Sequence, residues 1–246
     1  HAMFSLGLAF GAWMGGQFVG TPLLTHFLIV GTVLALTNLA LWVGYVDADR
    51  ERKRETAAFS MPPRALWGLG LVAFCAGIVE VGLTDWSAIF LRDVISVDGT
   101  RAAYGITMFS LAMMAARLAG DVIVARVSRA RVVQASGVIG VLGLAIIVTS
   151  NNYLVTLVGL SLTGAGVAVV IPLAFSVAGN MPGVPPGTGI AGVATIAYSG
   201  FLVGPPVIGA VAEWASLRWS FGLMAGLLVV MTLMAGELDT EKPKRV

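Results

Sequence analysis

The chain has 246 residues, of which 57% are hydrophobic and only 11% are charged, and its mean hydropathy is +0.90. This small number of polar residues cannot cover the surface of a soluble globular protein. The composition therefore excludes that class and indicates an integral membrane protein. The formal net charge of +2 is too small to favour nucleic acid as a partner.

Eight apolar runs are close to the 20 residues that a helix needs to cross about 30 Å of hydrocarbon. We therefore predict an all-α polytopic membrane protein with about eight transmembrane helices. The predicted spans are 2–19, 23–46, 65–91, 102–125, 132–150, 153–179, 187–212 and 217–236.

A charged segment between the second and third runs is the one clear boundary in the sequence. It covers residues 47–64 and contains Pro62-Pro63 near its end, so it predicts a solvated linker. The predicted units are two spans in 1–46, a six-helix unit in 65–236 and a tail in 237–246.

Basic residues concentrate in alternate connections, which predicts the orientation because Lys and Arg favour the cytoplasmic side. We expect a multi-pass protein of the cell (inner or plasma) membrane with linker and carboxyl terminus in the cytoplasm. The residues that carry this expectation are Arg50, Arg52, Lys53, Arg54, Arg64, Arg126, Arg129, Arg131, Lys242, Lys244 and Arg245.

Glu80 lies near the middle of the third run, where an ionised carboxylate is expensive and is usually kept for function. Helical spacing places Thr84 and Ser87 on the same face, whereas Asp85 points away. A buried carboxyl can take up and release a proton near neutral pH. Glu80 is therefore predicted to be a reversible proton site or a substrate acceptor. The alternative is a protonated side chain that hydrogen-bonds a neighbouring helix and serves packing.

Four further polar or aromatic residues are weaker candidates. Asp85 lies nearer the outer end of its span, where it could bind substrate, be solvated or pair with Arg92. Trp86 could anchor the helix at the membrane interface or contact a solute. Asn38 and Tyr198 could line a cavity or form helix-to-helix hydrogen bonds.

Small residues recur at four-residue spacing in two spans, at Gly7, Gly11 and Gly15 and at Gly222 and Gly226. Such stripes let helix backbones approach closely in a membrane, so they predict helix packing.

Prolines interrupt two spans, at Pro172 and at Pro205-Pro206. Each removes a backbone donor, so we expect kinked helices with freed carbonyls at these places.

One stretch resembles a known motif. The run Arg117-Leu-Ala-Gly-Asp121, followed by Arg126, Arg129 and Arg131, resembles the carboxyl-half copy of the cytoplasmic loop motif of the major facilitator superfamily. Residues 1–7, 85–88 and 199–209 are similar to its YbjJ-like and fucose-permease-like branch.

The resemblance implies a helical bundle of twelve spans in two halves around a central cavity. The chain then looks like spans five to twelve, lacking the first four, with the missing amino-terminal half as a partner. By the same resemblance, a cytoplasmic gate would be formed by Arg117, Gly120, Asp121, Arg126 and Arg129.

We therefore expect a secondary active transporter that moves a small polar solute, such as a sugar or metabolite, with protons and by alternating access. The expected partners are the solute, protons and the lipid bilayer, without a cofactor or nucleic acid. The sequence shows no metal-ligand cluster, paired nucleophile or phosphate loop, so an enzyme is not expected. The alternatives are a drug or metabolite exporter of the same fold and a non-transporting receptor or scaffold. Gly15-Gly16-Gln17 lacks the proline typical of drug antiporters, which disfavours drug export.

Overall fold

The computed structural model describes residues 2–44 and 63–239, except for the side chains of Val43 and Asp121. The described backbone is helical with short connections and contains no strand. The predicted linker 47–64 lies almost wholly outside the described residues, as do His1 and the tail from residue 240.

All eight apolar runs contain helix, and this confirms the predicted all-α polytopic class. The α-helices are α1 (Ala2–Gln17), α2 (Leu23–Leu41), α3 (Trp67–Asp93), α4 (Gly99–Val124), α5 (Arg129–Thr149), α6 (Tyr153–Val167), α7 (Val170–Gly179), α8 (Pro186–Trp214) and α9 (Leu217–Leu233). Short 3-10 helices cover Trp42–Gly44, Arg64–Leu66 and Ala235–Leu238.

Six of the described helical segments, not eight, are long and apolar enough to cross a membrane on their own. They are α2, α3 with its preceding 3-10 turn, α4, α5, α6 with α7, and α8. The other two predicted spans form α1, of 16 residues, and α9, of 17 residues. At 1.5 Å per residue these helices are shorter than about 30 Å of hydrocarbon.

Helix α3 is the centre of the bundle. It packs against α8, α4, α9 and α7, and it contributes a row of fully buried side chains that includes Leu69, Val79 and Leu83. In contrast, α2 has no buried residue. Helix α1 packs on α4, where Thr100 Oγ1 donates to the carbonyl of Gly16 at 3.0 Å. The Glu80 side chain is therefore carried by the most enclosed helix.

The glycine stripes do not mediate packing within the described residues. A Cβ atom added at any of the five stripe positions would meet no atom within 4 Å, so the packing prediction is wrong for them here. Close approach occurs instead between α5 and α6, where a Cβ on Gly143 would lie 2.6 Å from the Gly159 carbonyl oxygen. Sequence spacing identified small residues, but it could not show which helix faces meet.

The prolines have two different outcomes. The sixth predicted span breaks between α6 and α7 at Ala168 and Val169, four and three residues before Pro172. In contrast, α8 continues through Pro205 and Pro206. Ala168 and Val169 both keep helical backbone angles, so the regular hydrogen bonding of the helix is interrupted before Pro172 while the segment continues in the same span.

Two contacts tie helix ends together at opposite ends of the bundle. At one end, Leu238 is fully buried and Asp239 Oδ1 accepts a hydrogen bond from the Ala130 amide at 3.3 Å. The first residues of the predicted tail 237–246 are thus packed on the start of α5. At the other end, Arg218 of α9 donates to the Ser150 carbonyl at 3.0 Å and to Asn151 Oδ1 at 2.6 Å.

Candidate functional site

A buried ion pair joins the middle of α3 to α4. The Arg117 Nη2 atom donates to Glu80 Oε1 at 3.2 Å and to Oε2 at 3.3 Å. The Arg117 side chain is 6% exposed and the Glu80 side chain is 8% exposed. Two opposite charges are therefore held together away from solvent, where the loss of either partner would leave an uncompensated charge.

Helix direction explains how these residues meet. Glu80 lies at the middle of α3, whereas Arg117 lies nearer the end of α4, which follows α3 after a short connection. Side chains on a helix lean toward its amino terminus, so the long Arg117 side chain reaches back along α4 toward the level of Glu80. An arginine that the sequence places close to a connection can thus act deep in the bundle.

Arg117 has further partners on two other parts of the chain. Its Nε donates to the Ala168 carbonyl at 2.9 Å, and its Nη1 donates to Ser5 Oγ at 2.5 Å. Ser5 belongs to α1, and Ala168 lies in the break between α6 and α7. One guanidinium therefore connects α1, α3, α4 and the α6–α7 break.

A cavity of about 230 Å³ lies beside the ion pair. Its other walls are apolar and aromatic: it is lined by Phe4, Glu80, Arg117, Ile171, Tyr198 and Phe201. The Tyr198 ring meets Phe201 and Phe175 edge-on, with ring centroids 5.8 and 6.2 Å apart. We call this space the aromatic cavity. A few charged groups in apolar walls are typical of a pocket for a small molecule.

Arg117 also lines a second cavity, of about 430 Å³, between α4 and α7. Gly120, Arg129, Pro172 and Ser176 are among its lining residues. Arg117 therefore contributes to both cavities, and a change in its position would alter both.

The other predicted residues of the α3 site do not join the pair directly. Thr84 Oγ1 donates to the backbone carbonyl of Glu80 at 2.8 Å, within the helix. Asp85 is exposed, and its suggested partner Arg92 instead pairs with Asp93 at 2.6 Å. Asp85 is thus exposed, whereas Glu80 is buried.

Trp86, Asn38 and Tyr198 lie in three different surroundings in the structure. The Trp86 ring faces Gly209 of α8, and its buried Nε1 has no hydrogen-bond partner among the described residues. The Asn38 amide donates to the Leu34 carbonyl of its own helix at 3.0 Å, so it forms no helix-to-helix bond in the described structure. Tyr198, in contrast, lines the aromatic cavity together with Glu80.

Three of the five predicted gate residues, Arg117, Gly120 and Arg129, line the second cavity together. Arg117 donates hydrogen bonds to Glu80, Ser5 and Ala168. Arg126 is exposed in the turn after α4, and Arg129 begins α5. The absence of a side chain at Gly120 lets α4 approach Val169 closely, because a Cβ atom on Gly120 would lie 2.8 Å from Val169 Cγ1. The side chain of Asp121 is outside the described structure. The gate stays a prediction, and one of its residues, Arg117, also pairs with Glu80.

Sequence reasoning missed Ser5, Phe201 and the Ala168 carbonyl. Phe201 follows Tyr198 by three residues, so helical spacing could have grouped the two rings on one face. The Ala168 carbonyl could have been found from Pro172, because a helical proline frees the carbonyl four residues earlier. Ser5 gave no signal, since a serine in an apolar run usually bonds its own helix.

No group of three His, Cys, Asp or Glu side chains able to hold a metal ion occurs in residues 2–44 and 63–239. The chemistry that the described site offers is hydrogen bonding, charge and aromatic contact from the chain's own residues.

The chain is 36% identical to "Uncharacterized transporter y4wD" of Sinorhizobium fredii over 94% of this chain and 63% of that protein. It is 29% identical to an MFS-type transporter of Yersinia pestis, over 96% of this chain and 62% of that protein. It is also 29% identical to "Membrane protein MosC" of Rhizobium meliloti, over 85% of this chain and 50% of that protein.

The chain thus spans less than two thirds of the length of these relatives. The sequence profile of the Major Facilitator Superfamily matches residues 105–246, which is more than half of the chain. The match covers α5 to α9 and most of α4, including Arg117 and the α6–α7 break. Together with the apolar helical bundle, it shows that this chain belongs to the Major Facilitator Superfamily of membrane transporters.

Proposed function

We propose that the protein is a secondary active transporter that moves a small polar solute, such as a sugar or related metabolite, with protons by alternating access. The observation that carries the proposal is the buried Glu80–Arg117 pair in the wall of the aromatic cavity. Relatives named as transporters support the general activity, while the solute and the coupling ion are our inference from the site.

The size and lining of the cavity favour a small solute with both polar and apolar faces. A volume of about 230 Å³ is at or below the lower end of pockets for drug-sized ligands. Hydroxyl groups of a solute can donate to Glu80 and accept from Arg117, while Tyr198 and Phe201 can pack against its apolar face. A sugar ring has this combination of groups.

The Glu80–Arg117 ion pair is the proposed site of proton coupling. Protonation of Glu80 would remove the negative charge that faces Arg117 and so weaken the attraction between the two side chains. With Glu80 holding it less strongly, the guanidinium could turn toward the solute. Loading of the proton and loading of the solute are in this way linked through one residue.

Arg117 is also part of the predicted cytoplasmic gate. We propose that Arg117, Gly120, Asp121, Arg126 and Arg129 form a latch that opens as Arg117 changes partners. We further propose that the protein lies in the inner or plasma membrane with its carboxyl terminus in the cytoplasm, as the distribution of basic residues predicts. In a twelve-span arrangement, an amino-terminal half would supply the opposite wall of the cavity.

The test is transport in proteoliposomes that contain a pH-sensitive dye. A panel of labelled neutral hexoses and pentoses is offered with and without an inward proton gradient. We expect the gradient to accelerate uptake of at least one solute, with proton entry reported by the dye. Glu80→Gln should abolish the acceleration, because the amide cannot exchange a proton.

Glu213→Gln is the matched control, since Glu213 is an exposed acid at the end of α8 and lies in neither cavity. This variant should transport like the wild type. Unchanged pH dependence in Glu80→Gln would refute the proton site. Proton movement opposite to that of the solute would instead support the exporter, and no flux with any solute would favour the receptor or scaffold.

A further inference from the structure

We infer that Pro172 is a positioning residue for Arg117: by lacking an N–H, it leaves the Ala168 carbonyl open as the acceptor that orients the guanidinium toward Glu80. The importance of this orientation rests on the proposed function, in which Arg117 belongs to the transport site. The contact itself can be tested without any transported solute.

Helix geometry first identifies the carbonyl that Pro172 leaves without a donor. In an α-helix the N–H of each residue donates to the carbonyl four residues earlier. The residue four before Pro172 is Ala168, and proline has no N–H to donate. Helix α6 ends at Val167 and α7 begins at Val170, so Ala168 lies in the break. Its carbonyl therefore lacks the normal donor because of Pro172.

The second step is burial. Ala168 is 0% exposed, and a buried backbone carbonyl must find a partner within the protein. The Arg117 Nε is that partner, at 2.9 Å. A donor with a positive charge makes a stronger hydrogen bond than a neutral amide would.

The third step is the fixed shape of the guanidinium. Its N–H groups lie in one plane, so the position of one hydrogen bond restricts the directions of the others. With Nε on Ala168, Nη2 lies on Glu80 and Nη1 lies on Ser5. Pro172, which does not line the aromatic cavity, thus influences how Arg117 is presented to Glu80 and to that cavity.

The two prolines of α8 offer a contrast within the same chain. Helix α8 continues through Pro205 and Pro206, and Pro206 is exposed. Replacement of Pro206 should therefore test only the general effect of removing a helical proline, which makes it a matched control for Pro172.

The experiment measures deuterium exchange of the Arg117 Nε–H by NMR, in protein labelled with ¹⁵N-arginine and held in lipid nanodiscs. Loss of one signal in Arg117→Lys assigns the resonance. In the wild type we expect slow exchange. Pro172→Ala supplies an N–H that competes for the Ala168 carbonyl, so exchange should become about tenfold faster, as expected for the loss of one hydrogen bond. Pro206→Ala should leave the rate unchanged.

Two backbone esters separate the missing donor from the proline ring. Lactic acid in place of residue 172 resembles alanine but has no N–H, so it should keep the slow exchange of the wild type. An ester introduced at residue 169, with the hydroxy acid analogue of valine, makes the Ala168 carbonyl a weaker acceptor while Pro172 stays in place. It should accelerate exchange, and it decides the matter if Pro172→Ala does not fold.

Equal exchange rates in the wild type, Pro172→Ala and the 169 ester would overturn the inference. It would also be overturned if the lactic acid variant exchanged as fast as Pro172→Ala, because the ring and not the missing donor would then be responsible. Since no solute is present, failure of the transport proposal would not affect these results.

Discussion

Glu80 of α3 and Arg117 of α4 form an ion pair at 3.2 Å in which both side chains are less than a tenth exposed. Removing one partner of a buried pair leaves an unpaired charge, at a cost of about 3–5 kcal/mol, whereas an apolar pair of similar volume can be nearly neutral. We expect Glu80→Gln or Arg117→Met alone to lower the free energy of unfolding in detergent. The double variant should lose clearly less than the sum of the two.

Additive losses in this cycle would show that the two residues do not interact in solution. Arg92 and Asp93 provide a control, since they pair at 2.6 Å but are largely exposed. A cycle of Arg92→Met and Asp93→Asn should give a coupling below about 1 kcal/mol.

The aromatic cavity predicts a selective effect on solute affinity. Tyr198→Ala and Phe201→Ala should each raise the KM for the transported solute about fivefold, because an aromatic contact contributes about 1 kcal/mol. The kcat should change less, since neither ring belongs to the ion pair. Phe27→Ala removes an aromatic ring from the exposed surface of α2 and should change neither constant. If Tyr198→Ala and Phe201→Ala both gave the same KM as Phe27→Ala, neither Tyr198 nor Phe201 would contact the solute.

Arg218 predicts a stability effect at the other end of the bundle. It donates to the Ser150 carbonyl and to Asn151 at the end of α5, and its guanidinium carbon lies 5.6 Å from the centre of the Phe90 ring. Arg218→Ala should therefore lower the free energy of unfolding by about 2–3 kcal/mol, since charged hydrogen bonds are lost and a helix end loses its cap. Thermal or denaturant unfolding in detergent measures the change, and Arg101→Ala is the exposed control. A loss no larger than in the control would refute the capping role.

Replacement of glycine by alanine should change the free energy of unfolding in opposite directions at Gly143 and Gly11. Gly143→Ala would place a methyl group 2.6 Å from the Gly159 carbonyl oxygen, so overpacking should cost about 1–3 kcal/mol. Gly11→Ala meets open space in α1 and should be neutral or stabilising by up to about 1 kcal/mol through helix propensity. Unfolding of the two variants under the same conditions compares the signs. A destabilised Gly11→Ala would mean that another surface covers this stripe in the membrane.

The positions of most helices could be predicted from the sequence, because hydrophobic length is a local property. The predicted span 187–212 and helix α8 (Pro186–Trp214) nearly coincide. The predicted ends of a helix were wrong where a proline lies inside an apolar run. In the sixth span, Pro172 divides one continuous apolar run into α6 and α7. The short α1 and α9 show that an apolar run can exceed the helix within it.

Glu80 was identifiable from the sequence alone, because a carboxylate in an apolar span is costly wherever the neighbouring helices lie. Its partner was not identifiable. Arg117 stands in a motif that resembles a loop gate, and sequence spacing relates it only to residues of its own helix, such as Asp121. The tertiary structure decided that α3 and α4 bring Arg117 to Glu80, that Tyr198 and Phe201 line the same cavity, and that the Ala168 carbonyl accepts a hydrogen bond from Arg117. Apolar periodicity determines which segments enter the membrane, whereas contacts between helices depend on how their surfaces fit, and that is not a local property of the chain.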